Sequence, residues 1–258
     1  IGATAAVAGS VTGNGAANTV VLAAAGATDI IGVDLGAGND VLSISSVGAT
    51  YTLDGGDGTA DTLASAVAID ATTGANISGF EVVSAGAVSV ALPAASNTIG
   101  TVSFTGTGGT VAGVASGATV SQAATGANTV SNTTGWTGTA DSINVAVGGA
   151  TSSGAITQSL TATGIETATI TNTQISTDAT ARSVGVAGAN LAKMTVASAG
   201  TAAITITGGG AALAEIDASG VGGVVTNSAT MKSTGFKLTT GAGADTLTGG
   251  TGADTLIA

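Results

Sequence analysis

Two runs near the C-terminus carry residue types that could hold a metal ion. They are Gly241-Ala-Gly-Ala-Asp-Thr-Leu247 and Gly250-Thr-Gly-Ala-Asp-Thr-Leu256. Their aspartates, Asp245 and Asp254, are nine residues apart. A nine-residue Gly-Gly-x-Gly-x-Asp-x-apolar-x repeat builds a Ca²⁺-binding parallel β-roll. Gly241, Gly243, Gly250 and Gly252 allow the tight turns and bring carbonyls toward the ion. The aspartates supply carboxylates, and the apolar residue two positions later points inward. The competing reading is a pair of glycine turns capped by Asp without an ion.

A second cluster lies near the N-terminus. Gly36-Ala-Gly-Asn-Asp-Val-Leu42 matches the unit through Gly36, Gly38, Asn39 and Asp40. Asp54-Gly-Gly-Asp-Gly-Thr-Ala-Asp-Thr-Leu63 matches through Asp54, Gly56, Asp57, Gly58 and Asp61, with one extra residue between Gly58 and Asp61. Asn18, Asp29 and Asp40 are spaced by eleven, which fits a coil longer than the nine-residue roll. Asp34 adds a carboxylate close by. Ca²⁺ takes six to eight oxygens, so carbonyls must complete any site that a few carboxylates begin. Gly138-Thr-Ala-Asp-Ser-Ile143 echoes the second unit without its double glycine, and Asp141 is equally a cation ligand or a turn cap.

Two further echoes carry Glu. Gly79-Phe-Glu-Val-Val83 and Gly164-Ile-Glu-Thr-Ala168 place Glu81 and Glu166 at matching positions. The two lie 85 residues apart with no His, Arg or Tyr motif beside either. They read as exposed charges at strand starts of a repeated coil, not as an acid/base pair. Trp136 could offer a sugar platform, but a sparse aromatic more often plugs a coil end or bend.

The elements around these residues follow from composition. The 258-residue chain has no Cys and no His, which excludes disulfides, thiol and imidazole catalysis and the usual zinc sites. Without His or a Ser-x-x-Lys motif its hydroxyls have no activating base, so the chain is not expected to be an enzyme. Four basic residues and a net charge of -11 exclude a nucleic-acid footprint. No apolar run reaches the length of a membrane span. Ala5 to Gly9 is too short for a signal-peptide core, and a first residue other than Met suggests a fragment or processed form.

Mean hydropathy is +0.55, yet aromatics make up only 2%. A core of Ala, Val and Thr cannot close one thick globule, but it can fill a thin core repeated along an axis. Forty-three glycines interrupt almost every window long enough for a helix. Short period-two runs are frequent, among them Thr19–Leu22, Val41–Ile44, Val88–Leu92, Thr101–Phe104, Ile143–Val147, Thr167–Ile170 and Ala203–Ile206. Pro93 is expected at a strand end or turn. The fold class expected is all-β, a parallel β-solenoid of about twenty residues per coil, rod-like and on the order of 60 Å long. Three zones make one continuous domain: calcium-type turns over residues 13–63, a Thr/Ala/Val strand ladder over 64–236, and a returning aspartate block over 237–258.

At Gly36–Leu42, Asp54–Leu63, Gly79–Val83, Gly164–Ile170, Ile216–Ser219 and Gly241–Leu247 the chain resembles the C-terminal lattice-forming region of RTX-type bacterial surface-layer proteins, of the kind that coats Caulobacter cells. The resemblance in layout covers nearly the whole chain, and its specific motifs cover about a quarter. It implies a right-handed solenoid, type I secretion, and Ca²⁺ at Asp40, Asp61, Asp245 and Asp254 with their glycine turns. It also implies calcium-dependent self-assembly into a sheet on the cell surface. Further copies of the chain are then its partners, with a cell-surface glycan as another. Adhesins and stalks of other type I exported proteins carry the same repeats and remain the alternative.

Overall fold

The computed structural model describes residues 8–23, 29–123, 125–132, 136–148, 156–173, 181–233, 235–249 and 252–258. Almost all of the regular structure is short parallel strands stacked as a β-solenoid. Two compact units divide it. Unit 1 is Ile1–Ala115 with Ser131–Thr134, and unit 2 is Ser116–Val130 with Gly135–Ala258.

In unit 1 the strands are β1 (Ala8–Asn14), β2 (Thr19–Leu22), β3 (Ile30–Gly36), β4 (Val41–Ile44), β5 (Thr52–Asp54) and β6 (Thr62–Ser65). A single helical turn follows, α1 (Ala71–Gly74), then β7 (Ile77–Ser78), β8 (Val82–Ala85), β9 (Ser89–Ala91), β10 (Ile99–Phe104) and β11 (Thr110–Ala112). Strands β1, β3, β5 and β7 form one parallel ladder, and β2, β4, β6, β8 and β10 form another. The alternation read in the sequence sets their faces. Leu42, Leu63, Val83 and Val102 stack as one fully buried column. Val33, Leu53 and Ile77 stack opposite. Each such side chain contributes about 1.5–3 kcal/mol of burial. Asp70 caps α1 by accepting the Thr73 N–H at 2.8 Å. Pro93 lies in the turn after β9, where its carbonyl accepts the Ser96 and Asn97 N–H groups.

Unit 2 contains most of β12 (Val114–Gln122) and of β13 (Gly126–Ser131), then β14 (Ser142–Val147), β15 (Ile156–Ala162), β16 (Thr167–Asn172) and β17 (Arg182–Ala187). After these come β18 (Lys193–Ser198), β19 (Ile204–Gly209), β20 (Glu215–Val221), β21 (Val225–Asn227), β22 (Lys237–Thr240) and β23 (Thr255–Ile257). Strands β12, β14, β16, β18, β20, β22 and β23 make one parallel ladder, and β13, β15, β17, β19 and β21 the other. Ile143, Ala168, Met194, Ile216 and Leu238 form a buried column. The outer face of this ladder carries Lys193, Glu215 and Lys237 in one row, with Glu215 3.4 Å from each lysine. Beside them a bulge in β20 is closed by Asp217, which accepts the Ser219 N–H and hydroxyl.

Tyr51, Phe80, Phe104, Trp136 and Phe236 are all buried, so the aromatics fill the thin core and Trp136 presents no sugar platform. Among the described residues no helix is long and apolar enough to cross a membrane.

Candidate metal centre

Glycines make the corner of unit 1. Gly36, Gly56 and Gly79 adopt φ of +84°, +89° and +71°, a left-handed conformation that L side chains rarely hold. Successive coils meet there through backbone bonds. Asp57 N–H donates to the Gly36 carbonyl at 2.7 Å, and Gly38 N–H donates to the Asp57 carbonyl at 3.0 Å. Asp34 and Asp54 are register partners on β3 and β5. Each folds back on its own turn, accepting the N–H of Gly36 or Gly56 at 3.1 Å. With Asp57 and Ser78 they line an open groove. Asp34, Asp54 and the glycines therefore act as Asx turns.

The next residues along the chain form a column of different character. Asp40 Oδ1 accepts the Asn18 N–H at 2.6 Å, 22 residues back. Asp61 Oδ1 accepts the Asp40 N–H at 2.7 Å, 21 residues back. Glu81 Oε2 accepts the Asp61 N–H at 3.0 Å, 20 residues back. One carboxylate oxygen thus satisfies the backbone of the preceding coil at each level. The second oxygen of Asp40 and of Asp61 has no partner, although both residues are 0% exposed. A buried carboxylate oxygen without a hydrogen bond is costly, on the order of several kcal/mol for a charged group. Gly58, having no side chain, lets it pack close. A Cβ there would lie 2.2 Å from Asp61 Oδ2 and 2.3 Å from the Gly38 carbonyl oxygen. Asn39 stands aside, its Oδ1 accepting the Thr59 N–H at 3.1 Å. Asp29 is not a rung of this column: it is buried just ahead of β3, in the other ladder.

Unit 2 repeats parts of this arrangement. Glu166 Oε2 accepts the Asp141 N–H at 2.8 Å. Asp141 Oδ2 is satisfied locally by the Gly138 N–H at 2.9 Å. Asp245 Oδ1 accepts the Val225 N–H at 2.8 Å, and its Oδ2 is buried without a partner. Asp254 Oδ1 accepts the Phe236 N–H at 3.3 Å. Gly241 and Gly243 face the Val221 and Gly223 carbonyls, where a Cβ would meet oxygen at 2.0 and 2.4 Å. Gly252 has φ +118°, and Gly250 lies outside the described residues. Lys237 pairs with Thr255, so two nine-residue halves complete this coil and put Asp245 and Asp254 half a coil apart.

Neither Glu81 nor Glu166 is simply an exposed strand-start charge. Both are half-buried, and both cap the turn one coil earlier. Their partners are 20 and 25 residues away, which no local motif reveals.

Among the described residues no three His, Cys, Asp or Glu side chains converge to hold a metal ion. A cation would have to draw on carbonyls as well as carboxylates. Asp40 and Asp61 each offer one unpartnered carboxylate oxygen, and Asp61 Oδ2 and the Gly38 carbonyl oxygen both lie against Gly58, so these are the oxygens on which a cation here would draw.

The electrostatics agree. The first 115 residues contain eight acids and no Lys or Arg. Burial pushes the Asp61 carboxyl up, and the charges of Asp40, Asp54 and Asp57 add to it against the lowering Asp40 N–H. Burial likewise raises Glu81, with Asp61 adding. In contrast Ser219, through its hydroxyl and N–H, holds Asp217 below the usual range, helped by Lys193 and Lys237. A raised folded pKa gives stability that is complete below the unfolded value and is lost as pH rises through the folded one. A depressed pKa gives the reverse. Metal-free protein is therefore expected to gain amide-exchange protection at Asp40 and Asp61 as pH falls from neutrality into the carboxylate range. Ser219 N–H should lose protection below about pH 4. Parallel loss at both places would contradict the assignment.

No family model, curated protein or solved structure matches the chain.

Proposed function

We propose that this chain is a structural surface-layer protein that binds Ca²⁺ and assembles with its own copies into a two-dimensional lattice on a bacterial cell surface. The observation that carries the reading is the stacked pair Asp40 and Asp61, fully buried, each with one unpartnered oxygen, in a unit without a basic residue. Such a column calls for a cation. Ca²⁺ suits it because the remaining donors are carbonyl oxygens in glycine turns. Chemistry on a substrate has little support, since the chain has no His and no Cys. The outer strand faces are mostly Ser, Thr and Ala, which favours broad, weakly charged contact between identical surfaces.

Assembly tests this directly. Purified chain at millimolar Ca²⁺ is expected to scatter light and to form ordered sheets under negative-stain microscopy. Excess EGTA should return it to dispersed particles. Dispersed particles in both conditions, across a wide range of protein concentration, would sink the lattice reading.

A further inference from the structure

Two stretches share a two-coil pattern. In unit 1, Gly58-Thr-Ala-Asp61 is followed one coil later by Gly79-Phe-Glu81. In unit 2, Gly138-Thr-Ala-Asp141 is followed by Gly164-Ile-Glu166. The backbone geometry matches. The Asp61 carbonyl accepts the N–H groups of Glu81 and Val82, and the Asp141 carbonyl accepts those of Glu166 and Thr167. The Glu carboxylate returns a bond to the Asp N–H in each case, at 3.0 Å and 2.8 Å. Each Asp is thus clamped to the next coil through both backbone groups.

The second oxygens differ. Asp141 Oδ2 takes the Gly138 N–H, so its carboxylate is locally satisfied. Asp61 Oδ2 is fully buried with no partner and lies against Gly58, as does the Gly38 carbonyl oxygen. The same clamp therefore holds one carboxylate that needs a cation and one that does not.

We propose that Glu81 is a positioning residue of the cation-binding corner, and that Glu166 is its cation-free counterpart. This rests on the calcium reading above. Glu81 acts by accepting the Asp61 N–H, which sets where the Asp61 carboxylate stands against the Asp40 level. Its charge is not the operative feature; its reach is. Asp54, Asp57 and Asp40 already surround Asp61 with negative charge.

Variants separate these roles. Ca²⁺ binding to the full chain is measured by calorimetry, beside thermal melts in EGTA. Glu81→Gln keeps an acceptor oxygen at the same length and is expected to bind Ca²⁺ within about threefold of wild type. Glu81→Asp keeps the charge but withdraws the acceptor, and should weaken binding at least tenfold. Glu166→Asp should lower the melting temperature equally in Ca²⁺ and EGTA and leave the affinity unchanged. The opposite ranking, with Glu81→Gln weak and Glu81→Asp normal, would make Glu81 an electrostatic ligand and overturn the proposal. Equal affinity in all variants would also overturn it while leaving the calcium reading intact. Absence of Ca²⁺ binding by wild type would end both at the first measurement.

Discussion

Stripping Ca²⁺ from the protein is expected to lower the melting temperature of unit 1 by on the order of 10 °C. The cause is the column at Asp40 and Asp61. Adjacent coils lie about 4.8 Å apart. Two carboxylates at that separation repel by about 3–4 kcal/mol at an effective dielectric near 20. Both are fully buried, and no Lys or Arg exists in this unit to offset them. A bound cation replaces that repulsion with attraction. One site filled at a thousand times its dissociation constant stabilises the folded state by about 4 kcal/mol. In domains of this size each kcal/mol moves the midpoint by about 2–4 °C. Asp61→Asn sharpens the test because it acts with opposite sign in the two conditions. Without metal the variant should melt higher than wild type, since one buried charge is gone and the amide oxygen still accepts the Asp40 N–H. With Ca²⁺ it should melt lower, since the ligand is lost. Circular dichroism melts of both proteins in both conditions give four numbers. A wild-type midpoint indifferent to Ca²⁺, or an Asp61→Asn midpoint below wild type in EGTA, would refute the column's role.

The strands were legible because their signal is local. Thr19–Leu22 and Val41–Ile44 are β2 and β4 as read from alternation alone. The other runs are strands with ends displaced by one to three residues, as at β10, which begins at Ile99 and not Thr101. A thin core of β-branched residues pointed to stacking, and stacking is what the parallel registers show. What the sequence concealed is the partner of each residue, because partners lie a full coil away. Asp40 and Asp61 bond 21 residues apart, while Asp141 and Glu166 bond 25 apart. A variable coil length removes any fixed period that could have tied these positions together. The glycine units could be found locally, since a left-handed turn demands glycine wherever it occurs. The Glu clamps could not, because nothing within Gly79-Phe-Glu81 indicates that its carboxylate serves Asp61. The buried amides of unit 2 were hidden for the same reason. Gln158 Nε2 reaches the Gln122 carbonyl at 2.5 Å from 36 residues away.

Gly56→Ala is expected to destabilise unit 1 by about 2–5 kcal/mol, the largest effect of any single methyl group in the corner. Two independent costs combine. Gly56 sits at φ +89°, where an L side chain costs about 1–2 kcal/mol. Its Cβ would also lie 1.9 Å from the Gly36 carbonyl oxygen. The obstacle is backbone, so no rotamer change relieves it and the coils must part. Overpacking of that kind costs about 1–3 kcal/mol, or more. Relief is blocked on the other side too, because the next coil packs closely against this turn: a Cβ added at Gly79 would lie 2.7 Å from the Gly56 nitrogen. Parting the coils at Gly56 breaks the bond from Asp57 N–H to the Gly36 carbonyl and shifts the turn that leads into Asp61. Calcium affinity should therefore fall together with stability. Gly32→Ala is the control, since nothing lies within 4 Å of its Cβ position and it sits in an extended strand. That change should be neutral or add about 0.5 kcal/mol. Urea midpoints and a calcium titration on both variants measure the contrast. A Gly56→Ala midpoint within error of Gly32→Ala would mean that the left-handed glycine column does not hold the coils together, and that Asp40 and Asp61 are positioned by something else.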